Sequence, residues 1–115
     1  MASRGRGARM KGANFERQLA KYISEKTGLD AKRGLGQSRL GGSEIADVEV
    51  EFIHIEAKRH IKCNIKAAMR QAIEDAKEKS KPPVAITKDD NEDALVTMRL
   101  DDWIEFFKAY IENKK

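Results

Sequence analysis

Three residues stand out because their types and spacing can do chemistry: Asp47, Glu56 and Lys58. They lie in ADVEVEFIHIEAKRH, residues 46–60, where apolar and polar residues alternate almost without a break. That period of two is the signature of β-strand. The polar positions collect carboxylates, at Asp47, Glu49, Glu51 and Glu56, with His54, Lys58 and His60 among them. On the second half of the stretch, Ile53, Ile55 and Ala57 share one face, and His54, Glu56 and Lys58 share the other. A hairpin centred on Glu51-Phe52 sets Val50 opposite Ile53, Val48 opposite Ile55 and Asp47 opposite Glu56. Burial selects this register, because it alone sends every apolar residue to the core side. Directly opposed residues carry Cβ atoms about 4.5–5.5 Å apart, and two bare carboxylates at that spacing repel. A hard divalent cation such as Mg²⁺ or Mn²⁺, which prefers oxygen donors, removes the repulsion. Lys58 then sits beside the pair, able to orient a water for attack on phosphorus and to stabilise the charge that develops. The bland alternative for each acid is a solvated strand face. Glu49 and Glu51 are assigned to it; the matched set of Asp47, Glu56 and Lys58 is assigned to phosphodiester hydrolysis. Glu-Phe lacks a residue that favours positive φ, so a bulge or four-residue loop is expected at the hairpin's end.

The elements that must position this set follow from the rest of the chain. Residues 14–27, NFERQLAKYISEKT, place Phe15, Leu19, Tyr22 and Ile23 at helical spacing, with Asn14 as N-cap and Gly28 as terminator. Glu16 falls at the edge of that apolar stripe, a half-buried position that a carboxylate does not occupy without a reason. Residues 30–36 are expected as a first strand. A Gly/Ser-rich loop, GQSRLGGS at 36–43, carries Arg39, Ser38 and Ser43. After the hairpin at 45–59, a second helix is expected from about Asn64 to 79, with Ile65, Ala68, Met69, Ala72, Ile73 and Ala76 inward. KPP at 81–83 breaks the chain. Residues 83–88 and 94–100 are expected as two strands around the acidic turn DDNED, and Asp101 or Asp102 as the cap of a final helix. Trp103 and its aromatic neighbours are most simply core. Their arc is wide for so small a domain, so part of it is a candidate dimer surface.

Composition limits the alternatives. The chain has 115 residues, 40% apolar and 37% charged, which suits one domain with a modest core. It contains no run long enough for a membrane span and no signal-peptide pattern. Its one cysteine, Cys63, excludes an intramolecular disulfide and any Cys-based zinc site, and fits a cytoplasmic setting. Residues 1–43 hold ten Lys/Arg against three Asp/Glu, while the remainder carries a net −3. A basic N-terminal half implies a polyanion partner, with solubility as the simpler alternative. Residues 1–12 are expected as a flexible basic arm, preceding a single domain over 13–115.

ADVEVEFIHIEAK resembles the PD-(D/E)XK nuclease motif, with Asp47, Glu56 and Lys58 in its three positions and Ala46 where the family often has proline. From Lys11 onward, the order of helix, Gly/Ser-rich stretch, hairpin, helix and closing strands resembles archaeal-type and phage Holliday junction resolvases. The resemblance implies an α/β (α+β) fold with a restriction-endonuclease-like core. Its central mixed five-stranded sheet is flanked by helices in the order α-β-β-β-α-β-β-α. It also implies that Glu16 joins the site as a further metal-associated carboxylate, that the Ala57 carbonyl is a metal ligand, and that Ser38 or Ser43 contributes. Gln71 is a possible accessory residue on the second helix. Mg²⁺ is the expected cofactor, with Mn²⁺ as substitute; the expected partners are branched or duplex DNA and a second copy of the chain, with no membrane. Arg4, Arg6, Arg9, Lys11, Lys32, Arg33, Arg39, Arg59, His60, Lys62 and Lys66 are the candidate DNA contacts. His54 is expected to be an exposed strand histidine, and Cys63 a small packing residue. The expected function is a structure-specific endodeoxyribonuclease. The alternatives are another nuclease of the superfamily, such as a nickase or a repair or restriction-like enzyme, and a non-catalytic DNA-binding module.

Overall fold

The structure is a computed structural model that describes residues 4–34 and 46–115. Ser38, Arg39 and Ser43 lie outside the described residues. The elements run α1 (Arg4–Thr27), β1 (Lys32–Arg33), β2 (Val48–Glu49), β3 (His54–His60), α2 (Ile65–Asp75), β4 (Pro83–Asp89), β5 (Leu95–Thr97) and α3 (Leu100–Lys114). The five strands form one sheet in the order β1-β2-β3-β4-β5. Pairing is antiparallel except between β3 and β4, which run parallel and are joined through α2. A mixed five-stranded sheet with three helices, in the expected element order, is the α+β architecture of a restriction-endonuclease-like core.

The hairpin register is the one that burial selects: Val48 opposes Ile55 and Glu49 opposes His54. The four residues between β2 and β3 make the loop, and Phe52 takes a φ of +82° there with its ring in solvent. A β-carbon is strained in that region, which is why Glu-Phe is an unusual choice for a tight turn.

The sheet carries apolar layers on both faces. On one, Phe15, Ala20, Val48, Val50, Ile55, Ala57, Val84 and Ile86 form a core under α1, with Leu19, Ile23 and Leu29 packed against it. On the other, Ala68, Met69, Ala72 and Ala85 join α2 to β4. Small residues at helix positions 68 and 72 let α2 approach the strands closely. Asn64 caps it, its side-chain oxygen accepting from the Ala67 N–H at 3.0 Å. Gly28, at φ +77°, ends α1 and donates its N–H to the Ser24 carbonyl at 3.0 Å, the left-handed position glycine tolerates without strain.

Three expectations are corrected. α1 begins at Arg4, so Asn14 lies inside the helix and residues 4–12, expected as a flexible arm, are helical. Arg, Ala, Met and Lys are all good helix formers, and no proline stops the helix from running back beyond its apolar stripe. α3 takes Arg99 as its N-cap with no side-chain cap bond, while Asp101 and Asp102 sit in its first turn, where acids complement the helix dipole. No residue of α3 is buried, so its aromatic residues are not core.

Ile55→Ala should lower unfolding stability by about 2–5 kcal/mol, because a fully buried side chain is lost from the centre of the sheet. Glu51→Ala, on the exposed loop, should change it by less than about 0.5 kcal/mol. Urea denaturation of the two variants checks the placement of the core.

Candidate active site

Asp47 immediately precedes β2, and its backbone is tied on both sides. Its N–H donates to the Ile55 carbonyl at 3.0 Å, and its carbonyl accepts from Gly34 N–H at 2.9 Å. Its side chain is fixed as well, since Oδ2 accepts from the Ala57 N–H at 2.9 Å. A strand residue directs its N–H and C=O to the same edge, so the Ala57 carbonyl faces the edge where Asp47 stands.

Glu56 is the next residue of β3 and is buried, on the face that α2 covers. Its carboxyl hydrogen-bonds to Asp47, and Lys58 Nζ lies 3.4 Å from its Oε1. Lys58 is half-exposed, so the site opens to solvent on the lysine's side. Burial, with the hydrogen bond and negative charge of Asp47 behind it, pushes the Glu56 carboxyl up to about 8; the Lys58 ammonium pulls the other way. The pair therefore holds a proton at neutral pH when nothing else supplies positive charge.

Glu16 approaches from α1. Its Oε1 accepts from Arg33 Nε at 2.7 Å. Burial raises its carboxyl above the usual range; the Arg33 hydrogen bond lowers it, and the nearby charges of Asp47 and Lys58 are both felt. Glu16, Asp47, Glu56 and Lys58 thus share one electrostatic neighbourhood, drawn from α1, the start of β2 and β3.

Behind Glu56 lies a second group. Ligand atoms of His54, Glu56 and Asp75 all come within 4.8 Å of one another. His54 is buried rather than exposed as expected, because α2 closes over its face of the sheet. Its Nδ1 lies 3.3 Å from Lys79 Nζ, and its Nε2 is buried without a hydrogen-bond partner among the described residues. A lysine ammonium only donates, so Nδ1 accepts and the neutral ring keeps its proton on Nε2. Burial, then the Lys79 charge, holds the ring below its ordinary range. In this tautomer Lys79 takes up the Nδ1 lone pair and Nε2 carries the proton, so the neutral ring has no free lone pair for a cation. The donors available to a cation are carboxylate and carbonyl oxygens, a set that fits a hard divalent ion.

A comparison with protein families matches residues 7–114 to the family described as "phage putative PDDEXK endonuclease". The chain belongs to this family. Neither the curated proteins nor the solved structures returned a match. Endonucleases of the PD-(D/E)XK class generally use divalent metals, in agreement with the oxygen-rich surroundings of Glu56. No described helix is long and apolar enough to cross a membrane.

The remaining candidates of this PD-(D/E)XK chain divide by what they touch. Lys11 and Arg59 both pair with Asp90 of the turn between β4 and β5, Lys11 at 3.3 Å. Arg33 is held by Glu16. Those three cations have internal partners in this structure. Lys32, His60, Lys62 and Lys66 are exposed. Lys62 and Lys66 border a shallow depression of about 450 Å³ at the N-terminus of α2, with Cys63, Asn64 and Ile65. Arg4, Arg6 and Arg9 fall on the first turns of α1. Gln71 is exposed and donates to Asp75 Oδ1 at 2.9 Å. Cys63 is half-buried, its backbone N–H donating to Asp89 Oδ1 at 2.7 Å. A cleft of about 490 Å³ at the hairpin's far end is lined by Asp30, Lys32, Glu49, His54, Lys79 and Lys81 among others; it shares His54 and Lys79 with the group behind Glu56.

Sequence reasoning missed Asp75 and Lys79. A signal existed for Asp75: it falls three and seven residues after Ala72 and Ala68, on the stripe that faces the sheet. An acid on an apolar stripe was the same clue that singled out Glu16.

The raised Glu56 carboxyl makes a prediction about metal-free protein in EDTA. Folded protein keeps that proton while the unfolded chain releases it above about 4.5. This stabilisation is complete below 4.5 and is lost as pH rises through about 8. His54, with its lowered pKa, acts in the opposite sense only below its ordinary 6.5. Between pH 6.5 and 8 the unfolding free energy should therefore fall, by up to about 1 kcal/mol per pH unit. Chemical denaturation across that window should show the slope, and Glu56→Gln should flatten it.

Proposed function

We propose that the chain is a Mg²⁺-dependent, structure-specific endodeoxyribonuclease that resolves Holliday junctions, with Mn²⁺ able to substitute. One observation carries the reading: Asp47, Glu56 and Lys58 converge where the start of β2 meets β3, with Glu56 in contact with both of the others and Lys58 half-exposed. Asp47, Glu56 and the Ala57 carbonyl would hold the cation, with Glu16 as an additional carboxylate. Bound there, the ion would supply Lewis acidity toward a phosphodiester and offset the repulsion between the two acids.

The chain's own residues account for the remaining steps. The Ala57 N–H keeps Asp47 aimed at Glu56. Lys58, anchored 3.4 Å from Glu56, positions the attacking water on its exposed side and stabilises charge on the phosphate as it becomes five-coordinate. Cleavage leaves a 5′-phosphate. Arg33 fixes the Glu16 carboxylate. Lys32, His60, Lys62 and Lys66, with the basic N-terminal turns, meet the DNA backbone, so affinity falls steeply with salt. A four-way junction needs two symmetric cuts, which a twofold dimer supplies.

Incubating the protein with labelled four-way junction, linear duplex, flap and single strand, in Mg²⁺ or in EDTA, tests the proposal. Paired symmetric nicks confined to the junction and dependent on Mg²⁺ are expected. Equal cutting of duplex would make the chain a general nuclease of its superfamily. Band shifts without cutting under any metal would make it a binding module. Lys58→Ala should lower the cutting rate by about 10²–10³-fold and leave junction affinity within a few-fold; cutting at full rate would remove Lys58 from the mechanism.

A further inference from the structure

α3 is apolar along one side, and among the described residues none of that side is buried. Leu100, Trp103, Ile104, Phe107, Tyr110 and Ile111 recur at spacings of three and four, which places them on a single stripe of the helix. All six are exposed, from 38% at Ile104 to 69% at Leu100. The Trp103 and Phe107 rings stack with centroids 5.1 Å apart, forming a flat aromatic centre. The helix borders the body elsewhere, where Asp102, Glu105 and Phe106 face Lys79–Pro82 across an open cleft.

The exposed area of this stripe is roughly 600 Å², taking about 150–250 Å² for a whole aromatic side chain. That is at the upper limit of the apolar patches monomers leave in water and close to the roughly 800 Å² per partner of a standard interface. Charge along α3 indicates what covers it. Asp101, Asp102 and Glu105 make the first half acidic, while Lys108, Lys114 and Lys115 outweigh Glu112 in the second. Two such helices laid parallel would set acids against acids and lysines against lysines. Laid antiparallel, each acidic half meets a basic half. Antiparallel pairing is what a twofold axis through the middle of the stripe produces.

We propose that α3 is a homodimer interface, pairing antiparallel with α3 of a second copy about an axis near Phe107, with Trp103 packed toward Ile111 and Ile104 toward Tyr110 across it. The proposal is independent of the nuclease chemistry, since no residue of the candidate active site lies on α3. It is tested by the mass of the full chain in solution, so a chain that dimerises without cutting DNA, or cuts without dimerising, separates the two readings.

Light scattering during size exclusion should give twice the 13.0 kDa chain mass. Phe107→Glu should weaken the dimer by at least about 30-fold, the cost of losing one central anchor. Its circular dichroism should be unchanged, because α3 supports nothing in the core. Lys108→Glu with Lys114→Glu leaves the apolar stripe intact but makes both halves acidic; it should also weaken the dimer, most strongly at low salt. A monomeric parent chain at about 100 μM would overturn the proposal, since that concentration would saturate any dimer with a Kd below about 10 μM. So would a dimer that Phe107→Glu leaves intact. Dimerisation undiminished by the double charge reversal at low salt would rule out the antiparallel arrangement.

Discussion

Two carboxyl groups that repel each other are held together by everything around them. Asp47 and Glu56 meet because Val48 must oppose Ile55 for the sheet to bury its apolar face. The Ala57 N–H then clamps Asp47, and α2 closes over Glu56 and excludes water from it. Each constraint alone is ordinary secondary structure. Together they keep like charges adjacent, and the contact persists only when a proton or a cation compensates. Burial first, then the hydrogen bond and charge of Asp47, raise the Glu56 carboxyl to about 8. The fold thus fixes the position of the pair before any ligand arrives, which is preorganisation.

Much of this was legible in the sequence because period-two alternation leaves almost no freedom of register. A slip of one residue would have sent Val48, Val50, Ile55 and Ala57 into solvent, so the pairing of residues 47 and 56 followed from burial. Asn64 and Gly28 were legible for local reasons, as an N-cap and a left-handed helix terminator. Glu16 was visible because a carboxylate on an apolar stripe needs a partner, and Arg33 provides one. Other features depended on tertiary packing that alternation does not encode. Whether the face carrying His54 and Glu56 met water or a helix depended on where the crossover ran, and α2 with its small residues covers it. The acidic turn between β4 and β5 likewise returns to pair with Lys11 and Arg59, a contact that only the tertiary fold reveals.

The opposite error occurred at α3. An apolar stripe at helical spacing is ordinarily a core-facing one, and nothing local distinguishes a stripe that finds its own sheet from one that finds another molecule. With apolar layers already covering the sheet through α1 and α2, the body has little left to offer a third helix. The domain's centre holds the acids and Lys58, and its C-terminal helix presents the largest run of exposed aromatic residues.

The central claim is that residues 47 and 56 form one cation site. Titration of Mn²⁺ into the protein, followed by electron paramagnetic resonance of the free ion, tests it without DNA and without any assumption about substrate. The account predicts saturable binding of Mn²⁺, competed by Mg²⁺ and lost in both Asp47→Asn and Glu56→Gln. Binding that survives Asp47→Asn unchanged, or an absence of saturable uptake in the parent protein, would contradict it.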